Sequence, residues 1–196
     1  MSRIIATGLC FRQWGPIDLD VGPGECVAVM GPSGAGKTLL LRALVDLDPH
    51  EGDVRLNDIP CDETPPHQWR RWVGMLPAES AWWADTVGEH VAPDVDFGGY
   101  GFVPDVRSWE VSRLSTGEKQ RLALARLLSR KPRCLLLDEP TASLDPDSVE
   151  RIEKLLEAYR LEHDAPVLWV SHDRAQASRV ASRVLTFDNG QLEESR

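Results

Sequence analysis

A glycine-rich segment near the start of the chain ends in a lysine and a threonine. The segment consists of Gly31, Pro32, Ser33, Gly34, Ala35, Gly36, Lys37 and Thr38. It follows the apolar run Cys26–Met30 and fits the pattern G-x-x-x-x-G-K-[ST] in the strand-to-helix context that the pattern requires. Glycines let backbone N–H groups curl around phosphate oxygens, and the positive end of a following helix adds to that attraction. The segment therefore predicts a phosphate-binding loop.

Two side chains at the end of this loop have separate predicted roles. Lys37 is expected to reach the β- and γ-phosphates of a nucleotide, where it serves both binding and catalysis. The hydroxyl of Thr38 is expected to bind Mg²⁺. A lone match to the pattern could be an ordinary glycine-rich turn, but the Lys-Thr pair directly after a strand favours a nucleotide site.

A pair of acidic residues ends a second apolar run. Asp138 and Glu139 follow Cys134–Leu137, so a buried strand delivers two carboxylates at its carboxyl end. Alone, the pair could be a solvated acidic turn. Together with the phosphate loop, it predicts that Asp138 holds the Mg²⁺ shell and that Glu139 orients and polarises an attacking water.

The segment Leu114–Arg121, with the sequence LSTGEKQR, combines a capping pattern with a resemblance to a known family. Ser115 and Glu118 stand as S-x-x-E, which predicts a capping box on a helix that runs to about Arg130. A capped helix N-terminus attracts anions. The segment resembles the signature sequence of ATP-binding cassette proteins, ordinarily LSGGQ or LSGGE. The resemblance implies that Ser115, Gly117 and Glu118 face ATP held by a second cassette.

The resemblance continues along the chain in the order of the family's motifs. Ser143-Leu144-Asp145 is similar to the loop at the family's dimer seam, which places Asp145 beside a nucleotide. Ser171-His172-Asp173 is similar to the family's switch histidine, which implies a γ-phosphate contact for His172 and a part in catalysis. The resemblance implies an ATPase that binds ATP and Mg²⁺ and forms a homodimer when ATP is bound. It also implies a separately encoded transmembrane permease, and a place on the inner face of the cell membrane.

Four positions differ from the family pattern or leave a choice open. Ala78, followed by Glu79, stands where most cassettes carry a glutamine near Mg²⁺ and the water, so hydrolysis is expected to be slower or differently gated. Thr116 replaces a signature glycine, a change that we expect the site to tolerate. The adenine-stacking aromatic is predicted to be Trp14, with Phe11 as the alternative. Phe11 on a strand is the better candidate for core packing.

The elements that must position these residues are strands alternating with helices. Apolar runs at Cys26–Met30, Cys134–Leu137, Val167–Val170 and Val184–Phe187 predict parallel strands buried on both faces. Helical patterns are predicted at Thr38–Leu47 and Pro146–Leu161, and an antiparallel β layer at Ser2–Gly24 and Glu51–Pro60. We therefore predict an α/β fold with a mainly parallel sheet, which the resemblance identifies as a P-loop NTPase (RecA-like) core.

The chain is predicted to be one cassette domain over residues 1–196. Residues 1–77 and 131–196 form the core and its β layer in this prediction, and residues 78–130 form a reduced helical signature subdomain. Ala92–Asp105 is rich in proline, glycine and aspartate, so it is expected to be a loop or a shortened helical insert. Four tryptophans cluster just before the short segment that separates Asp85 from Leu114, which suggests a protein interface as well as ordinary packing: Trp69, Trp72, Trp82 and Trp83.

Composition excludes several classes of protein. The formal net charge of −9 and the absence of a basic stripe argue against nucleic acid as a partner. No apolar run has the length of a membrane span, and the first residues lack a signal-peptide pattern, so a cytoplasmic chain is expected. The four scattered cysteines, without a C-x-x-C pair, are expected to be reduced.

Three functional hypotheses follow. The first is the ATPase subunit of a membrane transporter. Within the family, Ala84–His90 and Pro166–Asp173 look similar to small bacterial cassettes proposed for metal export, which suggests a metal ion as substrate. The second is a soluble regulatory ATPase without a membrane partner, which Ala78 and the short insert would suit. The third, a degenerate module that does not hydrolyse ATP, is opposed by the intact Lys37, Asp138, Glu139 and His172.

Overall fold

The computed structural model describes residues 1–194. The strands are β1 (Ile4–Phe11), β2 (Trp14–Val21), β3 (Cys26–Met30), β4 (Glu51–Leu56), β5 (Ile59–Pro60), β6 (Val73–Leu76), β7 (Cys134–Asp138), β8 (Val167–Val170), β9 (Arg183–Asp188) and β10 (Gln191–Glu194). The α-helices are α1 (Lys37–Leu44), α2 (Pro66–Trp72), α3 (Thr116–Leu128), α4 (Pro146–His163) and α5 (Arg174–Val180). Short 3₁₀ helices lie between β6 and α3, at Val87–Glu89, Gly98–Tyr100, Pro104–Ser108 and Val111–Arg113.

Two sheets organise the chain. The larger sheet has the strand order β10-β9-β3-β8-β7-β6 and is parallel except for the β9–β10 pair. The smaller sheet has the order β2-β1-β4-β5 and is antiparallel throughout. The prediction of an α/β fold with a mainly parallel sheet and an antiparallel layer is therefore confirmed.

The central strands are buried on both faces because alternate side chains enter two separate hydrophobic cores. On β7, Cys134 and Leu136 pack into the core shared with α1 and the antiparallel sheet. Leu135 and Leu137 pack into the core shared with α3 and α4. This period of two is the geometry of a strand whose side chains point to opposite faces, and it explains the continuous apolar runs of the sequence.

The predicted helices exist, with small differences at their ends. The first helix ends at Leu44 rather than at Leu47, because Asp46 adopts a left-handed backbone with φ of 58° that an α-helix cannot continue through. The helix predicted from Pro146 extends two residues beyond Leu161, to His163. The signature helix ends at Leu128, two residues short of Arg130.

The segment between β6 and α3 is built from loop and 3₁₀ turns rather than from α-helix. Within it, Ala92–Asp105, expected to be a loop or a shortened helical insert, contains the 3₁₀ turn Gly98–Tyr100 and the start of the turn Pro104–Ser108. Tertiary packing holds these turns. Phe97 is buried, and the guanidinium carbon of Arg107 lies 5.1 Å from the centre of its ring. The division into core and signature subdomain at residues 78–130 stays a prediction.

The cysteines and tryptophans are mostly internal. All four cysteines are free, as predicted, and burial raises the pKa of Cys26 to about 12. Trp69 is fully buried, and its indole N–H donates to the carbonyl oxygen of Leu44 over 3.0 Å. Trp83, by contrast, is 66% exposed. Of the four tryptophans singled out in the sequence, Trp83 is the most exposed, so an interface role stays a prediction for it alone.

Candidate active site

The phosphate loop lies between β3 and α1, at the carboxyl edge of the parallel sheet. Gly36 has φ of 110° and forms the N-cap of α1. A Cβ atom at this position would lie 2.7 Å from the indole nitrogen of Trp14, so the loop can follow this path only with glycine there. Lys37 is 9% exposed and donates to the carbonyl oxygens of Gly31 (2.8 Å) and Pro32 (2.9 Å). Its ammonium group is therefore enclosed by the loop that is predicted to hold phosphates.

The predicted metal-binding side chains meet directly across 100 residues of sequence. The hydroxyl of Thr38 donates to Asp138 Oδ2 over 2.7 Å. Burial raises the pKa of Asp138, and the neighbouring Glu139 raises it further. The Thr38 hydrogen bond, the Lys37 charge and a hydrogen bond from the Ala78 backbone act in the opposite direction. A buried carboxylate with a hydroxyl beside it fits Mg²⁺, which prefers oxygen ligands.

The predicted catalytic carboxylate and the switch histidine are neighbours. Glu139 Oε1 lies 3.3 Å from His172 Nδ1, and the backbone N–H of Glu139 donates to the carbonyl oxygen of Val170. The side chain of Glu139 is 33% exposed and that of His172 is 69% exposed. Both side chains are therefore accessible from solvent while they stay in contact with each other, and their contact with a nucleotide stays a prediction.

The two aromatic candidates for adenine differ in accessibility. Phe11 is 3% exposed and stacks on Phe187 with the ring centres 6.4 Å apart, so it is a core residue. Trp14 is half-buried, meets the same phenylalanine edge-on and lies against Gly36. Contact with the phosphate loop favours Trp14 over Phe11 for the base.

The signature segment begins α3 with the predicted capping box. The backbone N–H of Ser115 donates to Glu118 Oε2 over 2.8 Å, and the Glu118 N–H donates to the Ser115 hydroxyl over 3.3 Å. A Cβ at Gly117 would lie 2.7 Å from the carbonyl oxygen of Ser143, so the signature and the 143–145 loop are packed against each other. Asp145 itself caps α4 by accepting from the Ser148 N–H over 3.0 Å. A nucleotide contact for Asp145 stays a prediction.

The phosphate loop and the signature segment are not joined within one chain. Among residues 1–194, no hydrogen bond connects residues 31–38 with residues 114–118. Ser115 is nevertheless exposed, with its hydroxyl at the N-terminus of α3. A role of the signature segment at the nucleotide site of a second copy stays a prediction.

Two contacts of the site have no signal in the sequence. The backbone N–H of Ala78, at the position of the missing glutamine, donates to Asp138. Gln176 on α5 contacts segments that carry Glu139 and His172. Neither role follows from a motif, because one is a backbone contact and the other joins residues far apart along the chain.

A phosphate loop at the carboxyl edge of a parallel sheet, with a Thr–Asp pair and a second carboxylate beside it, defines a P-loop nucleotide-binding ATPase. A family model described as "ABC transporter" matches residues 15–142, more than half of the chain. The chain belongs to this family, and it is an ATPase that binds ATP with Mg²⁺.

Individual relatives agree with this assignment. The chain is 34% identical to the phosphate import ATP-binding protein PstB of Aeropyrum pernix, over 91% of this chain and 81% of that protein. It is 33% identical to the tungstate uptake system ATP-binding protein TupC of Peptoclostridium acidaminophilum, over 88% of this chain and 86% of that protein. A structure of a bacterial Atm1-family ABC exporter with ATP bound matches with a TM-score of 0.86 and 26% identity, over 98% of this chain and 38% of that one. The metal-export resemblance is not confirmed.

Proposed function

We propose that this chain is the energy-coupling subunit of a membrane transporter. Two copies close around two ATP molecules, hydrolysis lets them separate, and the movement drives a separately encoded membrane protein. The observation that carries this proposal is the divided site: the capped signature helix begins at the exposed Ser115, and among residues 1–194 no hydrogen bond joins residues 114–118 to the phosphate loop. A second copy, turned head to tail, supplies the missing half.

Within one site, each side chain has a role that its surroundings support. Lys37 neutralises charge on the phosphates, and Thr38 with Asp138 holds Mg²⁺. The metal, when bound, supplies charge stabilisation at the phosphate oxygens. Glu139 accepts a hydrogen bond from the attacking water and aligns it. His172, beside Glu139, donates to the transferring phosphate.

The partner copy contributes the positive end of α3. Ser115 presents its hydroxyl there, and the backbone N–H groups that begin the helix face the same direction. Glu118 keeps Ser115 in place through the capping box. Trp14 supports the base, and Asp145, as the cap of α4, fixes the loop at the seam between the two copies.

The proposed place of the protein is on the inner face of the cell membrane, held there by a permease. The relatives are named as ATP-binding proteins of import and uptake systems, which supports a separate membrane subunit. Among residues 1–194, no helix combines the length and the apolarity needed to cross a membrane. The exposed Trp83 lies in the insert between β6 and α3 and offers a contact for that partner. These relatives do not favour a soluble regulatory ATPase.

Glu139→Gln tests the proposal. It removes the carboxylate that aligns the water but keeps the shape of the side chain, so phosphate release is expected to fall by about a hundredfold or more. ATP and Mg²⁺ are then expected to hold the variant as a dimer, measured by light scattering after gel filtration. Glu162→Gln, an exposed position on α4, is the matched control and is expected to behave as wild type. A Glu139→Gln variant that stays monomeric with ATP at high protein concentration would refute the homodimer.

A further inference from the structure

A buried amide on α5 joins three segments that surround the hydrolytic residues. Gln176 is 7% exposed. Its Oε1 accepts a hydrogen bond from the Ser171 hydroxyl over 3.0 Å. Its Nε2 donates to Thr141 Oγ1 over 2.7 Å and to Glu153 Oε1 over 2.8 Å. The Gln176 amide therefore accepts from one donor and donates to two acceptors at the same time.

The partners of Gln176 are placed next to the residues proposed to act on ATP. Thr141 lies two residues after Glu139, and Ser171 immediately precedes His172. Ser171 also accepts from the Asp173 N–H over 3.0 Å, which fixes the loop on both sides of the histidine. The hydrogen bonds of the Gln176 side chain go to these neighbours and not to Glu139 or His172.

The third partner anchors the network on α4. Glu153 receives two hydrogen bonds from Arg179, from Nε to Oε2 and from Nη2 to Oε1, each over 2.7 Å. Its side chain is 10% exposed. Because Arg179 belongs to α5, the Glu153 carboxylate links α4 to α5. Gln176 then connects this Glu153–Arg179 pair to the loop that follows β7 and to the loop that follows β8.

The chemistry of the position calls for an amide. A carboxylate at residue 176 could not donate to Glu153, and two carboxylates would face each other at hydrogen-bond distance in a buried site. An apolar residue would leave the hydroxyl proton of Ser171 without its acceptor and would remove the N–H donor from Thr141 Oγ1 and from Glu153 Oε1. Such fully satisfied buried networks fix one arrangement of the groups that they join.

We propose that Gln176 is a positioning residue for ATP hydrolysis. It sets the 3.3 Å separation of Glu139 and His172 by fixing the loops after β7 and β8 relative to each other. The inference rests on the proposed roles of those two residues. It assigns a function to a side chain outside every motif of the sequence.

The test is a set of variants measured for kcat and for the KM of ATP. Gln176→Glu is expected to lower kcat about tenfold with the KM changed less than about twofold, since misplacing a reacting group by about 1 Å can cost about a hundredfold in rate. Glu153→Gln combined with Gln176→Glu exchanges the amide and the carboxylate. This exchange restores one amide and one carboxylate to the pair and is expected to recover most of the lost kcat. The loss in kcat at a nearly constant KM is the result that a merely structural role would not predict.

Two further variants distinguish an effect on catalysis from a loss of folding. Thr141→Val removes one hydroxyl at constant shape and is expected to lower kcat severalfold. Tyr159→Phe is the control, because it removes the hydrogen bond from α4 to the Pro132 carbonyl oxygen, which is not part of the Gln176 network. It is expected to lower the free energy of unfolding about as much as Thr141→Val does, and to leave kcat unchanged. An unchanged kcat in Gln176→Glu and Thr141→Val, or an exchange variant that folds but recovers nothing, would overturn the proposal. If the Gln176 proposal fails in this way but Glu139→Gln still abolishes hydrolysis, the proposed function of the chain as an ATPase subunit stands.

Discussion

The proposed catalytic carboxylate stands at a strained point of the backbone. Glu139 has φ of 47°, in the left-handed region that side chains other than glycine rarely adopt. Such strain persists only where the surroundings fix it, and it concentrates at functional sites. Here the hydrogen bond from Glu139 N–H to the Val170 carbonyl oxygen and the packing of β7 supply that constraint. The turn aims the carboxylate towards His172 rather than along the strand.

The neighbouring strand end offers a test of the missing glutamine. Ala78 is exposed and its backbone N–H donates to Asp138, so residue 78 lies close to the proposed metal site. Ala78→Gln would add a side-chain oxygen there, and one neutral hydrogen bond contributes about 0.5–1.5 kcal/mol. We therefore expect kcat for phosphate release to rise by about 2- to 10-fold. Glu79→Gln, at the next exposed position, serves as the control, and an unchanged rate in Ala78→Gln would contradict the expectation.

At the scale of elements, the close approach of β6 to α3 depends on a glycine. A Cβ atom at Gly74 would lie 2.7 Å from Leu127 Cδ1 and 2.9 Å from Pro132 Cβ. Gly74→Ala would overpack this contact, and we expect the free energy of unfolding in urea to fall by about 1–3 kcal/mol. Gly22→Ala is the control, since its Cβ would have an ordinary contact of 3.5 Å with Glu25. Equal stability of the two variants would show that β6 and α3 can move apart freely.

The capping box of α3 makes the stability of that helix depend on pH. Hydrogen bonds from the Ser115 hydroxyl and backbone lower the pKa of Glu118. A lowered folded-state pKa means that the contribution is complete above the ordinary glutamate pKa of about 4.3 and is lost as the pH falls through the lower value. We expect Glu118→Gln to cost about 1 kcal/mol at pH 7. The difference from wild type should shrink below about pH 4, as measured by urea unfolding across pH. A pH-independent difference would contradict this account.

Sequence patterns predicted the elements that local physics determines. The apolar runs of β3, β7 and β8 are readable because each strand is buried on both faces. The S-x-x-E capping box is readable because its bonds join residues three apart. The 3₁₀ turns before α3 depend on packing such as that of Phe97, which leaves no period in the sequence. Gln176 was missed for the same reason, since its partners Thr141 and Glu153 lie 35 and 23 residues away.

At the scale of the molecule, the insert between β6 and α3 carries a cluster of cation and aromatic contacts at the surface. The rings of Trp82 and Trp83 lie 4.7 and 4.5 Å from that of His90, and the guanidinium of Arg126 lies over both indoles. Arg126 belongs to α3, the signature helix. A partner that contacts Trp83 would therefore be linked through Arg126 to α3. This is the helix that is proposed to complete the nucleotide site of the second copy.

Trp83→Ala tests the proposed partner contact without changing the residues proposed for ATP hydrolysis. Because the side chain is 66% exposed and lies outside the nucleotide site, we expect the purified variant to keep a kcat within about twofold of wild type. Large aromatic residues at the centre of an interface often contribute about 2 kcal/mol or more, so recovery of a membrane partner should fall at least about tenfold. Leu161→Ala, 60% exposed on α4, is the matched control and is expected to keep the partner.

The measurement uses the Glu139→Gln background, tagged and expressed in its own host, with membranes extracted in mild detergent in the presence of ATP. Mass spectrometry then compares the proteins recovered at stoichiometric yield with and without Trp83→Ala. A polytopic membrane protein that is recovered with Leu161→Ala and lost with Trp83→Ala would place the permease on the insert. Equal recovery with both variants would place it elsewhere on the cassette. Recovery of soluble proteins alone would contradict the transporter and favour a regulatory ATPase, because the ATP-bound dimer would then act without a membrane subunit.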